Sequence, residues 1–109
     1  MIVIRAVIRI RDGEADAARA AMSTVAERSV KREGVLGYDF FRLDEDRVVV
    51  IEVYDTSETL LAHVNGGDFD ELFAVTSVEK LEIYGDPADE AKAIFSAFGA
   101  PTILSSFTK

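Results

Sequence analysis

Apolar and mixed positions alternate from Ile2 to Arg11. Ile2, Ile4, Ala6, Ile8 and Ile10 fall on one side; Val3, Arg5, Val7 and Arg9 fall on the other. This period of two predicts a strand with one fully apolar face, ended by Asp12-Gly13. The period then lengthens. Across Glu14 to Arg32, Ala18, Met22, Val25 and Ala26 recur at helical spacing, and no Gly or Pro interrupts them. Gly34 is expected to stop this helix, with Lys31 and Arg32 in its last turn complementing the dipole. Leu36 to Leu43 and Arg47 to Tyr54 read as two strands joined by Asp44-Glu45-Asp46, a hairpin. Asp55 and Ser57 are the expected caps of a short helix, with Glu58 forming a capping box to Asp55. Leu60, Leu61, His63 and Val64 lie on that helix, and Asn65-Gly66-Gly67 breaks it. Asp68 is expected to cap another turn carrying Phe69, Leu72 and Phe73. Ser77 to Tyr84 is a fourth strand.

Beyond Gly85 the pattern changes again. Asp86-Pro87 predicts a helix start, and Ala91, Ile94, Phe95 and Phe98 form its apolar face. Gly99 and Pro101 stop it, and Thr102 to Phe107 is a short strand. The element order predicts an α+β fold: a ferredoxin-like βαββαβ antiparallel sheet with helices on one face, plus a C-terminal helix and strand. With no repeat or linker, residues 1–109 are read as one domain, with a core over 2–85 and an extension over 86–109.

Parity sorts the strands into two expected faces. Ile2, Ile4, Ile8, Ile10, Phe41, Leu43, Val49, Ile51, Val53, Leu81 and Ile83 are assigned to the helix side. Val3, Arg5, Val7, Arg9, Tyr38, Phe40, Arg42, Val50, Glu52, Tyr54, Lys80, Glu82 and Tyr84 are assigned to the other. The second set is too aromatic to be left in water, which predicts a homodimer joined through the sheets.

Composition narrows the function. The chain has 12 Lys+Arg against 20 Asp+Glu, a net charge of −8, which argues against nucleic acid and anionic membrane partners. It has no Cys, so thiolate metal sites, disulfides and a Cys nucleophile are excluded; a reducing cytoplasm fits. The longest uncharged run, Ala93 to Thr108, contains Gly99 and Pro101 and falls short of the ~18 apolar residues of a spanning helix.

Three stretches carry a resemblance. Glu33-Gly34-Val35-Leu36-Gly37-Tyr38, Val50-Ile51-Glu52-Val53-Tyr54-Asp55 and Ser57-Glu58 through Ala62-His63 stand in an order and spacing similar to the antibiotic biosynthesis monooxygenase domain of the dimeric α+β barrel superfamily. Its small quinol-oxidising members are the nearest in pattern. The resemblance spans residues 2 to 85. It implies a homodimer whose sheets form a barrel, with a pocket between sheet and helices. It also implies oxygenation of small electron-rich aromatics, quinols or anthrones, by molecular oxygen with no cofactor. Two features depart from the family: there is no Trp, and Asn65-Gly66-Gly67-Asp68 stands where many members carry a second His. These departures favour the alternative, a non-catalytic protein of the same fold that binds a small hydrophobic molecule or scaffolds a dimer.

The candidate residues each have two readings. His63, the one His, is a general base or a helix-terminal residue contacting backbone carbonyls. Asn65 is a hydrogen-bonding assistant or a C-cap. Tyr38 and Glu52, expected across one hairpin, either orient substrate or stabilise the dimer, with Glu52 paired to Arg5 or Arg9. Phe69, Phe73 and Met22 are pocket walls or plain core. No metal-ligand spacing is evident.

Overall fold

The structure, a computed structural model, describes residues 1–66 and 69–108. Five strands form one mixed sheet in the order β2-β3-β1-β4-β5. They are β1 (Ile2–Ile10), β2 (Val35–Arg42), β3 (Arg47–Tyr54), β4 (Thr76–Tyr84) and β5 (Thr102–Leu104). The helices are α1 (Ala15–Ser29), α2 (Ser57–Val64), α3 (Asp70–Val75) and α4 (Asp89–Ser96). β1, in which Ile2, Ile4, Ala6, Val7 and Ile8 are buried, runs antiparallel between β3 and β4. β5 joins β4 in parallel, so the extension continues the sheet instead of starting a second one. The result is an α+β, ferredoxin-like fold with an open sheet.

Register assigns the faces. Ile2, Ile4, Ala6 and Ile8 stand opposite Tyr54, Glu52, Val50 and Val48. Tyr38 and Phe40 stand opposite Glu52 and Val50. Residues paired directly across strands share a face. Tyr38, Phe40, Val50, Glu52 and Tyr54 therefore lie under the helices with Ile4, Leu81 and Ile83, against the expectation for those five. Phe41, Val49, Ile51 and Val53 turn to the open face with Val3, Arg5, Val7 and Arg9, again against expectation. The reason is that β3 is apolar on both sides. A strand of that kind leaves its parity undetermined until it is paired.

The expected ion pairs change with the faces. Arg5 binds Glu82 at 2.9 Å, and Arg9 binds Glu79 at 2.6 Å and Asp46 at 2.5 Å. Glu52 pairs with neither arginine.

Local signals at the helix ends also shift. The cap of α2 is Thr56, whose side chain accepts from the Thr59 N–H at 3.2 Å. Asp55 accepts from the Thr59 hydroxyl at 2.5 Å, so the Asp55–Glu58 capping box does not form. Ser57 serves elsewhere: its Oγ accepts from the Ala88 N–H at 2.7 Å. With Ala88 extended and its N–H committed to Ser57, α4 starts at Asp89, three residues after the expected cap at Asp86. The expected cap at Asp68 lies outside the described residues.

Gly34 sits where α1 hands over to β2. Its φ of +86° is left-handed, and its carbonyl accepts from the Asp55 N–H at 2.9 Å. A Cβ there would stand 2.5 Å from Thr59 Oγ1 and 2.7 Å from Asp55 Oδ1. Both terms penalise any side chain. Gly34→Ala is expected to destabilise the fold by about 2 kcal/mol. Urea denaturation with an unchanged m-value is the measurement, and a loss near zero would refute the account.

Candidate active site

A carboxylate on a central strand, under helices, enters a site from which water is largely excluded. Glu52 occupies that position on β3. Two residues on along the same face, Tyr54 donates a short hydrogen bond to Glu52 Oε1. Tyr54 itself is fully buried. Burial pushes the Glu52 carboxyl up to about 7, and the Tyr54 hydrogen bond opposes the shift. Tyr38, opposite Glu52 on β2, is held well above the ordinary phenol range by burial and by the neighbouring Glu52 charge. The same two causes hold Tyr54 up. Both tyrosines therefore remain O–H donors at neutral pH, and Glu52 is the member of the cluster that titrates there.

Glu52 and Tyr38 line a cavity of about 60 Å³ between the sheet and helices α3 and α4. The rest of the wall is apolar. Ile4, Ala6, Ile8, Val50 and Leu81 form its floor on the sheet, and Phe69, Leu72, Phe73, Phe95 and Phe98 form its helical side. Phe69 and Phe73 stack with centroids 5.7 Å apart and planes 21° apart. Phe73 meets Phe98 at 5.2 Å. Such a hollow, apolar with one polar group, matches the general form of a small-molecule site.

Of the seven residues singled out in the sequence, Tyr38, Glu52, Phe69 and Phe73 come together here. The other three do not line this cavity. His63 is completely buried, with Nε2 3.3 Å from Ser29 Oγ. Its ring is packed by Tyr38, Tyr54 and Phe69 at centroid distances of 5.4, 5.6 and 5.0 Å. It stands behind the cavity wall, and it borders a separate, broad surface groove with Arg32, Asp55 and Glu58. Of the two, Glu52 and not His63 lines the cavity. Asn65 is exposed and forms the C-cap of α2, its N–H bonded to the Leu61 carbonyl at 3.0 Å. Met22 is buried on α1 and borders another groove, beside Ile10 and Phe40.

Sequence reasoning missed Tyr54, which parity placed on the wrong face. It also missed Phe95 and Phe98 as cavity walls, although their helical spacing identified them as an apolar face. Among the described residues no three His, Asp or Glu side chains cluster as a metal site. No described helix is long and apolar enough to cross a membrane.

The fold has close counterparts among solved structures. MupZ from Pseudomonas fluorescens superposes with a TM-score of 0.74 at 23% identity, over 96% of this chain and 88% of that one. A candidate antibiotic biosynthesis monooxygenase from Nitrosomonas europaea gives 0.69 at 22%, over 79% and 98%. Another from Deinococcus radiodurans gives 0.67 at 16%, over 81% and 94%. At these identities the likeness concerns the fold. No curated protein matches the sequence. The sequence profile described as "Antibiotic biosynthesis monooxygenase" matches residues 1–75, which carry β1 to α3 and with them Tyr38, Glu52, Tyr54 and Phe69. Through that match, the chain belongs to the antibiotic biosynthesis monooxygenase family.

Proposed function

We propose that this protein is a cofactor-independent monooxygenase that oxidises a small phenol-type aromatic of the quinol or anthrone class with molecular oxygen. The observation that carries this reading is Glu52: a carboxylate near neutral pKa, facing an otherwise apolar, aromatic-walled cavity. In this mechanism the ionised Glu52 accepts the phenolic proton of the substrate. The resulting phenolate is electron-rich enough to pass electrons to oxygen directly. For a hydroquinone, one C–H bond becomes C–O and two O–H protons are lost. Hydroquinone and O₂ yield hydroxybenzoquinone and water, with all four electrons supplied by the ring. Tyr38, which keeps its proton, donates to the oxyanion, and the phenylalanine walls hold the ring and exclude water. His63, packed against Tyr38, Tyr54 and Phe69, is a positioning residue in this scheme.

A second reading is a binding or scaffold protein without turnover. What favours it is the cavity volume of about 60 Å³; a cavity known to hold benzene measures about 150 Å³.

The working unit in this proposal is a homodimer. Val3, Val49, Ile51, Val53 and Phe41 face away from the helices, and Phe41 is 52% exposed. An apolar sheet face of this extent is suited to a second copy of itself.

Oxygen uptake with a panel of hydroquinones tests the activity. Glu52→Gln is expected to lower kcat/KM by about a hundredfold or more, and wild-type kcat/KM should rise with pH through about 7 as Glu52 ionises. If His63→Ala abolishes turnover while Glu52→Gln preserves it, the assignment of the base is overturned.

Stability gives an independent readout of the same carboxyl. Its folded pKa lies above the unfolded value, so its contribution is full below about 4.5 and is lost as pH rises through about 7. Urea titrations of the wild type at pH 5 and pH 8 should differ by about 2.5 kcal/mol from this source. Glu52→Gln should remove that difference.

For assembly, light scattering is expected to give a dimer for the wild type and a monomer, still folded by circular dichroism, for Ile51→Lys. A wild-type monomer at micromolar concentration refutes the dimer.

A further inference from the structure

The cavity beside Glu52 is too small for the ring it is proposed to bind. Its volume of about 60 Å³ is well under half of the roughly 150 Å³ that accommodates benzene. A wall must therefore yield before an aromatic ligand reaches the carboxylate.

Most of the wall is fixed. Ile4, Leu72, Leu81 and Phe95 are each less than a tenth exposed and packed within the core. Phe98 differs. It is the one exposed side chain among those lining the cavity, at 38%. It lies beyond Ala97, the C-cap of α4, in a closing turn where the Phe98 N–H is bonded to the Phe95 carbonyl at 3.0 Å and the Gly99 N–H to the Ser96 carbonyl at 3.3 Å, so its backbone is held while its side chain is partly exposed. Gly99 follows with a φ of +110° and nothing within 4 Å of where a Cβ would stand. The ring of Phe98 rests on Phe73 across the mouth. The opposite end of the same segment is tethered: Pro87 and Ala91 are buried, and the Ala88 N–H is bonded to Ser57 Oγ at 2.7 Å. The backbone is thus held at both ends of α4, and the freedom at the mouth is that of the partly exposed Phe98 side chain.

We propose that Phe98 is the gate of this cavity and its ring-size selector: its side chain must swing away from Phe73 for an aromatic ligand to enter, and its bulk sets how many fused rings fit. This rests on the reading of the cavity as an aromatic-substrate site. The family match ends at residue 75, so the gate belongs to a part of the chain that the family assignment does not supply.

Two variants with opposite expected effects test it. Binding of hydroquinone (one ring) and 1,4-dihydroxynaphthalene (two rings) is measured anaerobically by calorimetry, so that no turnover intervenes. Phe98→Ala should raise the two-ring to one-ring affinity ratio by roughly tenfold, and Phe98→Trp should lower it. General loosening of the fold would move both variants the same way. Stopped-flow association should also be faster for Phe98→Ala than for wild type. A ratio that is unchanged in both variants, or that moves in one direction in both, overturns the gate. So does failure of every variant to bind either ligand. Oxygen uptake by the wild type separates the two levels. Uptake with an unmoved ratio removes the gate and leaves the oxygenation reading; oppositely moved ratios without uptake remove oxygenation and leave the gate.

Discussion

In the β1–β3 ladder Ile4 stands opposite Glu52, and much of this molecule follows from that pairing. Side chains alternate along a strand, so one pairing settles the direction of every residue on both strands. It turns Tyr54, Val50 and Glu52 toward the helices and Val49, Ile51 and Val53 away from them. Through the β2–β3 ladder it carries Tyr38 and Phe40 to the helix side as well. A slip of one residue would put the Glu52 carboxylate on the open face, away from the cavity. The charged pairs of the open face, Arg5 with Glu82 and Arg9 with Glu79 and Asp46, agree with this register. Being partly exposed, they contribute little energy, but they satisfy the charges of an otherwise apolar surface.

Burying a carboxylate costs free energy unless its charge is removed or its lone pairs are satisfied. Both devices operate at Glu52. Tyr54 supplies a hydrogen bond from the buried side, and the carboxyl pKa rises toward neutrality. The result is a carboxyl held near neutrality on the wall of an otherwise apolar cavity. Around it, His63 and the rings of Tyr38, Tyr54 and Phe69 form one aromatic cluster that fixes the geometry.

Part of the cavity wall comes from the extension. α4 rests on α2, and β5 lies parallel to β4, with the Gly85 N–H bonded to the Leu104 carbonyl at 2.8 Å. The core fold is thereby combined with a closing element from the last quarter of the chain. The superposition on MupZ covers 96% of this chain, whereas that on the Nitrosomonas protein covers 79%.

Much of the fold was legible in the sequence. Strict alternation in β1, the Ala-rich period of α1, the polar hairpin after Leu43 and the breaks at Gly34 and Gly85 are local signals, and local steric preference is enough to read them. Tyr38 and Glu52 could be placed together for the same reason, since hairpin register follows from a short turn. The face they share could not. Val48 to Val53 is apolar on both sides, so hydrophobicity does not say which side is buried, and the answer waits for the pairing with β1. His63 shows the same limit: its chemistry suggested a base, but whether a helical side chain meets a cavity or stands behind its wall depends on packing between distant elements. The elements and their order are written in the chain, because they rest on interactions within a few residues. That Glu52 faces the cavity, that Tyr54 stands behind it and that Phe98 borders it emerges with the packed fold, because those relations join positions far apart in the chain.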